Sequence, residues 1–464
     1  MEWLTIAETY KEQFIKDLRD LIKIKSLRND EEAKQGMPFG KELRVALDFM
    51  MELGKREGFK VKDIDGYACV LEYGDGEDTI GVLGHLDIVP IGEGWSKDPF
   101  GGEIIDGYMF GRGTIDDKGP GMAGFYALKM IKDQAIKLNK KVMLIYGCDE
   151  ESGMSCMHYY REHAQIPSMG FVPDANFPLI YGEKGGIHIS IKGKLDGDIV
   201  SMHAGERANI VIGKADIIVE KWNDQHAYDF DFYLASHYLQ GSITLLENNQ
   251  AKLHIDGVAA HAATPYLGNN AGLHLINFVA SSYQNETCNT IYNILKDWQG
   301  TGFNIALEGA RMGFLTLNTG IIKIEDNNIE LVIDIRYPID ANKDEVLKNI
   351  DETLNRELPS FTHQSGYVSK PLYVDPKSDL VRILEETYRE YSGDYDTPIM
   401  TIGGGTYAKT FDNFVAYGPE FPHANQDAPC MIGAPHQSDE GVKVSDLMLA
   451  IGIYAAAIEK LDKV

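Results

Sequence analysis

Cysteine is scarce in this chain. There are five, at positions 69, 148, 156, 288 and 430, odd in number and without the spacing of a zinc ribbon or a disulfide framework. That excludes a cysteine-stapled fold and fits a reducing, cytoplasmic setting. Basic residues are also in deficit. Against 70 Asp and Glu stand 44 Lys and Arg, a formal net charge of -26, which argues against nucleic acid or an anionic membrane as a partner. No apolar run approaches the ~20 residues that span a bilayer. The N-terminus lacks the basic-then-apolar order of a signal peptide, so none is expected. What remains, 44% hydrophobic and 25% charged residues, is the composition of a soluble globular protein. A chain of 464 residues exceeds one ordinary core, so two or more domains are expected.

Short apolar, β-prone segments recur at 68–72, 79–84, 141–147 and 170–173, with helical patterns between and before them, at 6–24 and 121–133. Alternating β and α elements indicate an α/β domain with a mostly parallel sheet and helices on both faces. The texture changes near Glu183. Longer two-sided strands follow, at 187–192, 215–220, 242–248, 252–256, 320–325 and 328–336, with helices at 273–282 and 343–357. This is an α+β pattern, with an antiparallel sheet and helices on one face. After Pro376 a helix at 379–391 and a strand at 414–418 return to the first texture. The reading is a catalytic domain, residues 1–183 and 377–464, interrupted by an α+β lid domain at 184–376. The insert is long enough for two similar halves, although no internal repeat is visible.

The chemistry-bearing residues collect where these segments end. Ile80-Gly81-Val82-Leu83 runs into Gly84-His85-Leu86-Asp87. A glycine-rich turn carries Asp116 and Asp117. Val142-Met143-Leu144-Ile145-Tyr146 runs into Gly147-Cys148-Asp149-Glu150-Glu151. Pro173-Asp174-Ala175 follows another strand, and Ala434-Pro435-His436 lies far downstream. Open α/β sheets place ligands at the carboxyl ends of their strands, and imidazoles with carboxylates from separate strand ends suit a two-metal hydrolytic site. Each cluster also has a plain reading. His85 serves equally as a satisfied strand-end histidine, Asp116 or Asp117 as a helix cap, Glu150 and Glu151 as acids before a helix, and Asp174 as a turn residue. Adjacent carboxylates repel unless a cation is near, so one of Glu150 and Glu151 can bind metal while the other acts as general base. Asp87 reads as the partner that orients His85.

Taken together and in this order, the motifs resemble the di-zinc metallopeptidases related to carboxypeptidase G, aminoacylase and succinyl-diaminopimelate desuccinylase. Within that group the chain looks most like bacterial dipeptidases of the PepV type. The resemblance runs over essentially the whole chain. It is carried by Gly84-His85-Leu86-Asp87-Ile88-Val89-Pro90, Trp95-Ser96-Lys97-Asp98-Pro99-Phe100, the stretch 111–120, Asp149-Glu150-Glu151-Ser152-Gly153, Pro173-Asp174-Ala175 and Gly403-Gly404-Gly405-Thr406-Tyr407. It implies two divalent metal ions, zinc foremost with manganese or cobalt as alternatives. His85 and Asp174 would hold one metal, Glu151 and His436 the other, and Asp116 both. Glu150 would be the general base that takes a proton from the metal-activated water. It also implies a cis peptide between Asp116 and Asp117. Aspartate rather than glutamate at 174 leans toward an aminopeptidase or dipeptidase. An N-acyl amino acid deacylase or desuccinylase using the same site is the alternative.

The inserted domain carries further motifs. Gly257-Val258-Ala259-Ala260-His261-Ala262-Ala263-Thr264-Pro265 looks like the family's lid-histidine segment, which implies that His261 donates to the oxyanion. Arg336 in Asp334-Ile335-Arg336-Tyr337-Pro338 either pairs with Asp334 on a sheet surface or, by the resemblance, receives the substrate's terminal carboxylate. Asn209 is a further candidate contact. Gly404, Gly405 and Thr406 offer backbone N–H groups to an anion, or form a plain glycine turn. The remaining histidines, His188 among them, stand outside any such motif and receive no role. The expected partner is a small peptide substrate, with no nucleic acid and no membrane. Because the long insert has room to return His261 to the site of its own chain, a monomer is expected.

Overall fold

The computed structural model describes residues 2–195, 197–426 and 428–464. The chain divides into two units. One runs to Gly182 and resumes as Tyr373–Met400 and Gly405–Val464; the other is Glu183–Leu372 with Thr401–Gly404. The return expected at 376/377 lies instead at Tyr373, and Thr401–Gly404 belongs to the second unit rather than the first. The return comes earlier because the short strand Leu372–Tyr373 already joins the first unit's sheet.

That sheet has nine strands. Its order is Lys60–Ile64, Ala68–Tyr73, Lys141–Gly147, Thr79–His85, Met169–Val172, Phe414–Ala416, Ile180–Glu183 and Leu372–Tyr373, with Met400–Ile402 also on Ile180–Glu183. Parallel pairing holds among the four central strands; Lys60–Ile64 and Ala68–Tyr73 add antiparallel strands at one edge. The central pair is buried along almost its whole length, as the unbroken apolar runs require of strands covered on both faces. Val82, Leu144 and Leu71 stand in register on one face. The helices Lys118–Asp133 and Lys41–Arg56 close on that face, Gly124 against Val82 and Gly54 against Leu71. Side chains alternate along a strand, so His85 and Gly147, in register with each other, belong to the opposite face. There Met157 of the helix Ser155–His163 and Tyr407 pack against Gly147. Parallel order brings the carboxyl ends of Lys141–Gly147, Thr79–His85 and Met169–Val172 side by side, the position where such sheets collect functional side chains.

The second unit is built on an antiparallel sheet of eight strands. The order is Gln240–Leu245, Ala251–Asp256, Lys214–Val219, Ile199–Ala204, Thr316–Glu325, Asn328–Tyr337, Gly185–Lys194 and Thr362–Ser369. It reads as two similar halves meeting between Ile199–Ala204 and Thr316–Glu325. Each half has a hairpin, then a helix (Asp224–Ser236 or Lys343–Glu357), an outer strand, and one strand slotted between (Ala251–Asp256 or Gly185–Lys194). In the second half the slotted strand comes first in the chain, before the whole first half. That ordering hides the repeat from a linear reading. Ile187, Ile189 and Ile191 face a continuous apolar core shared with Leu253, Ile255, Ile276 and Ile350. The alternate residues of Gly185–Lys194, His188 and Ser190 among them, form the sheet's polar face. Among the described residues of both units, no helix is long and apolar enough to cross a membrane.

Candidate active site

His85 ends its strand with Nδ1 donating to the main-chain oxygen of Asp87 at 2.9 Å. That fixes the ring and aims Nε2 at Asp116 Oδ1, 2.9 Å away, and at Asp174 Oδ2, 3.8 Å away. From the other side His436 Nε2 reaches Asp116 Oδ2 at 3.0 Å and Glu151 Oε1 at 3.1 Å. Two groups of potential ligands result, His85–Asp116–Asp174 and Asp116–Glu151–His436, each with ligand atoms within 4.8 Å of one another. Asp116 belongs to both and presents a different oxygen to each histidine. His436 holds a left-handed backbone, φ 68°, a conformation costing a non-glycine residue about 1 kcal/mol or more.

The chain fixes these side chains through main-chain hydrogen bonds. The carboxylate of Asp87 accepts from the backbone N–H groups of Glu150 and Glu151, each at 3.0 Å. Its Oδ1 is 3.4 Å from His85 Nδ1, so its main chain orients the histidine while its side chain holds the two glutamates. Asp117 precedes the helix Lys118–Asp133 without capping it by its side chain. Instead its Oδ2 accepts from His85 N at 2.9 Å, and the Asp116–Asp117 peptide is cis. A Cβ at Gly84 would lie 2.9 Å from that same oxygen, so glycine is what admits the contact. Glu150 and Glu151 lie upstream of the helix Ser155–His163, which sets aside their reading as acids at its start. Asp149 is fully buried, bound by Arg28 Nη1 at 2.7 Å and by the backbone N–H and hydroxyl of Ser155.

Glu440 is a residue the sequence reading missed. It is fully buried, pairs with Arg112 Nη1, and accepts from the N–H groups of Gly113 at 2.9 Å, Ile115 at 3.1 Å and Asp116 at 3.4 Å. It thus ties the loop bearing Asp116 to the loop bearing His436. Its one linear signal is an acid four residues beyond His436, too little without the fold.

The electrostatics suit dications. Burial, then neighbouring carboxylates, pushes Asp174 well above the usual carboxyl range. Burial and the charges of Glu151 and Asp116 do the same for Glu150, and burial with Asp116 raises Glu151. Burial opposes the ionisation of Asp116 too, yet hydrogen bonds from His436 and His85 hold it well below the ordinary value. Burial works against a charged His85, but its bonds to Asp116 and Asp87 raise it well above 6.5. Contacts with Asp116 and Glu151 push His436 up to about 10. A nitrogen- and oxygen-rich donor set of this kind, acidic beyond what two imidazolium ions neutralise, fits divalent metal ions.

In the second unit, Asn209 accepts through its main-chain oxygen from Ala262 N at 2.9 Å, and Ile210 bridges to His261. His261 Nδ1 accepts from Ala263 N at 3.1 Å, which leaves the ring hydrogen on Nε2. A row of polar side chains on the sheet supports these loops: Asn318 Nδ2 donates to Ala208 O at 2.8 Å and Thr316 Oγ1 to Ala262 O at 2.9 Å. Arg336 pairs with Asp334 through Nε at 2.7 Å and Nη2 at 2.8 Å. Nη1 contacts Gly403 O at 3.4 Å. Gly404 belongs to this unit, whereas Gly405 and Thr406 belong to the first. There Thr406 Oγ1 accepts from Ala408 N at 3.1 Å, capping the short helix Tyr407–Thr410.

Two predictions follow from the first unit. Glu440→Gln keeps the shape but removes the charge facing Arg112 and weakens the cradle of Asp116. Its metal Kd is expected to rise about ten-fold or more, the usual cost of losing such a supporting contact. A chelator titration of the folded variant that matches the wild type would contradict this. The second concerns protons. His436 in the metal-free protein is protonated below about 10, and a ligand imidazole must be neutral. Metal binding at pH 7 should release protons, and affinity should climb with pH until about 10. Calorimetry in two buffers of different ionisation enthalpy measures the release; identical heats would rule it out.

Comparison with known proteins identifies the family. The model of peptidase family M20/M25/M40 matches residues 81–460. The chain is 36% identical over 477 residues to the Bacillus subtilis (strain 168) protein named "Putative dipeptidase YtjP", covering 100% of both chains. Among solved structures it is similar in fold to the yeast di-peptidase Dug1p, with a TM-score of 0.61, 14% identity, and coverage of 100% of this chain and 98% of that one. Human carnosine dipeptidase 1 is similar at a TM-score of 0.59 and 15% identity, covering 100% and 99%. The match over residues 81–460 and the full-length relative together show that this chain belongs to peptidase family M20/M25/M40, hydrolases that act on peptide bonds.

Proposed function

We propose that the chain is a metal-dependent dipeptidase. One observation carries the reading: Asp116 turns its two oxygens toward two separate groups of ligands, with Glu150 held beside them by Asp87. His85 and Asp174 would hold one divalent ion, Glu151 and His436 the other, and Asp116 both, with zinc foremost and manganese or cobalt as alternatives. Bound there, the ions supply Lewis acidity that activates water and polarises the scissile carbonyl. Glu150 takes a proton from the attacking water and returns it to the leaving amine. The Nε2–H of His261 donates to the oxyanion. Arg336 takes the terminal carboxylate of the dipeptide, with Asn209 and the backbone of Gly404, Gly405 and Thr406 as further contacts. A full-length relative named as a dipeptidase supports the substrate class. We further assign the protein to the cytoplasm and to a monomeric working state, since one chain contains both halves of the second unit's sheet.

A panel of dipeptides set against N-acetyl and N-succinyl amino acids, assayed after metal loading, decides the substrate class. Hydrolysis confined to the acylated amino acids would reject the dipeptidase reading. Glu150→Gln should retain its metal and lose turnover by at least ~10²-fold; near-normal activity would remove Glu150 from the role. Mixing inactive Glu150→Gln with inactive His261→Ala should restore nothing if each chain works alone. Recovery of activity would establish sites shared between subunits.

A further inference from the structure

On the polar face of the second unit's sheet, strand register sets His188 directly across from Asp334 and Gly186 directly across from Arg336. Asp334 is fully buried. Its Oδ1 accepts from Arg336 Nε at 2.7 Å, while Oδ2 accepts from Arg336 Nη2 at 2.8 Å and from His188 Nε2 at 3.0 Å. Burial opposes its ionisation, but the His188 hydrogen bond and the Arg336 charge keep its carboxyl below the usual range. Asp334 is therefore held from two sides, and Arg336 is held by Asp334. The guanidinium has two of its nitrogens on the carboxylate, and the pair sets the direction of the third, Nη1, which lies 3.4 Å from Gly403 O.

Beside that edge, across the strand pair, stands a position without a side chain. A side chain at Gly186 would come within 3.3 Å of Tyr367 Cε1 and 3.9 Å of Arg336 Nη1. A glycine inside a strand marks such a close approach. His188 lies outside the apolar core: its side chain is 30% exposed, and its ring centroid is 5.4 Å from that of Tyr367. Packing alone does not account for a histidine here, whereas its hydrogen bond to the buried Asp334 does.

We propose that His188 is a positioning residue for recognition of the substrate's terminal carboxylate, fixing Asp334 so that Arg336 is held in its receiving orientation. This rests on the assignment of Arg336 to that carboxylate. His188 acts on it through one donor, so a side chain that restores the donor should restore the effect.

The test uses the full-length, metal-loaded protein and compares a dipeptide with its C-terminal amide. In His188→Leu the ratio of kcat/KM for acid over amide is expected to fall about ten-fold, roughly the contribution of one charge-assisted hydrogen bond. The fall should come from KM for the acid, with kcat within about two-fold. His188→Gln, which retains a donor at the same reach, should recover most of the ratio. Arg336→Lys keeps the charge but loses the fork, and should abolish the preference for the acid. If Arg336→Lys abolishes it while His188→Leu leaves it intact, the positioning role is wrong and the Arg336 assignment stands. A loss in His188→Gln as large as in His188→Leu would overturn it as well, since the donor would then not be what matters. An unchanged preference in Arg336→Lys would overturn both.

Discussion

Asp116 gives one oxygen to the His85 side and the other to the His436 side, 2.9 and 3.0 Å away, and the rest of the first unit serves to keep it there. The difficulty is electrostatic. Asp116, Glu150, Glu151 and Asp174 crowd a half-buried space in which like charges raise one another's cost of ionisation. Such a group of acids holds together only where cations, as protons or metal ions, are shared among them and the backbone cannot retreat.

The backbone is prevented from retreating by acids that point at main chain. Asp87 binds the N–H groups of Glu150 and Glu151, Asp117 binds that of His85, and Glu440 binds those of Gly113, Ile115 and Asp116. Each carboxylate links two stretches distant in sequence. The parallel sheet brings three strand ends together, and this lattice of charge-assisted bonds sets their loops relative to one another. The outer acids thus define where the inner ones stand.

The second unit solves a related problem with a polar row laid across one sheet face. Thr316 and Asn318 hold the loops at Ala262 and Ala208, beside His261 and Asn209, while Asp334 holds Arg336. Antiparallel register puts these residues on the same face because every second side chain points the same way. The opposite face is free to be fully apolar and to build the core. Support for the polar loops therefore comes from side chains of the sheet.

Much was legible in the linear chain. The apolar runs ending in His85, in Glu150 and near Asp174 announced strands with chemistry at their carboxyl ends, because burial on both faces demands unbroken hydrophobicity. The change of texture near Glu183 announced a second unit, because a half-exposed sheet demands alternation. What the sequence determined by itself was thus the set of local patterns and the identity of the chemical groups. Tertiary structure alone decided which groups meet. Glu440 and His188 look unremarkable in the chain, and Asp117 looks like a helix cap. Their roles arise from partners tens to hundreds of residues away, brought close by strand order and register. Asp334 could be read as a partner of Arg336 from two-residue spacing, but its hydrogen bond to His188 required two strands paired across 146 positions. Periodicity reports which face a residue occupies, and only the closing of the sheet fixes which residue stands opposite.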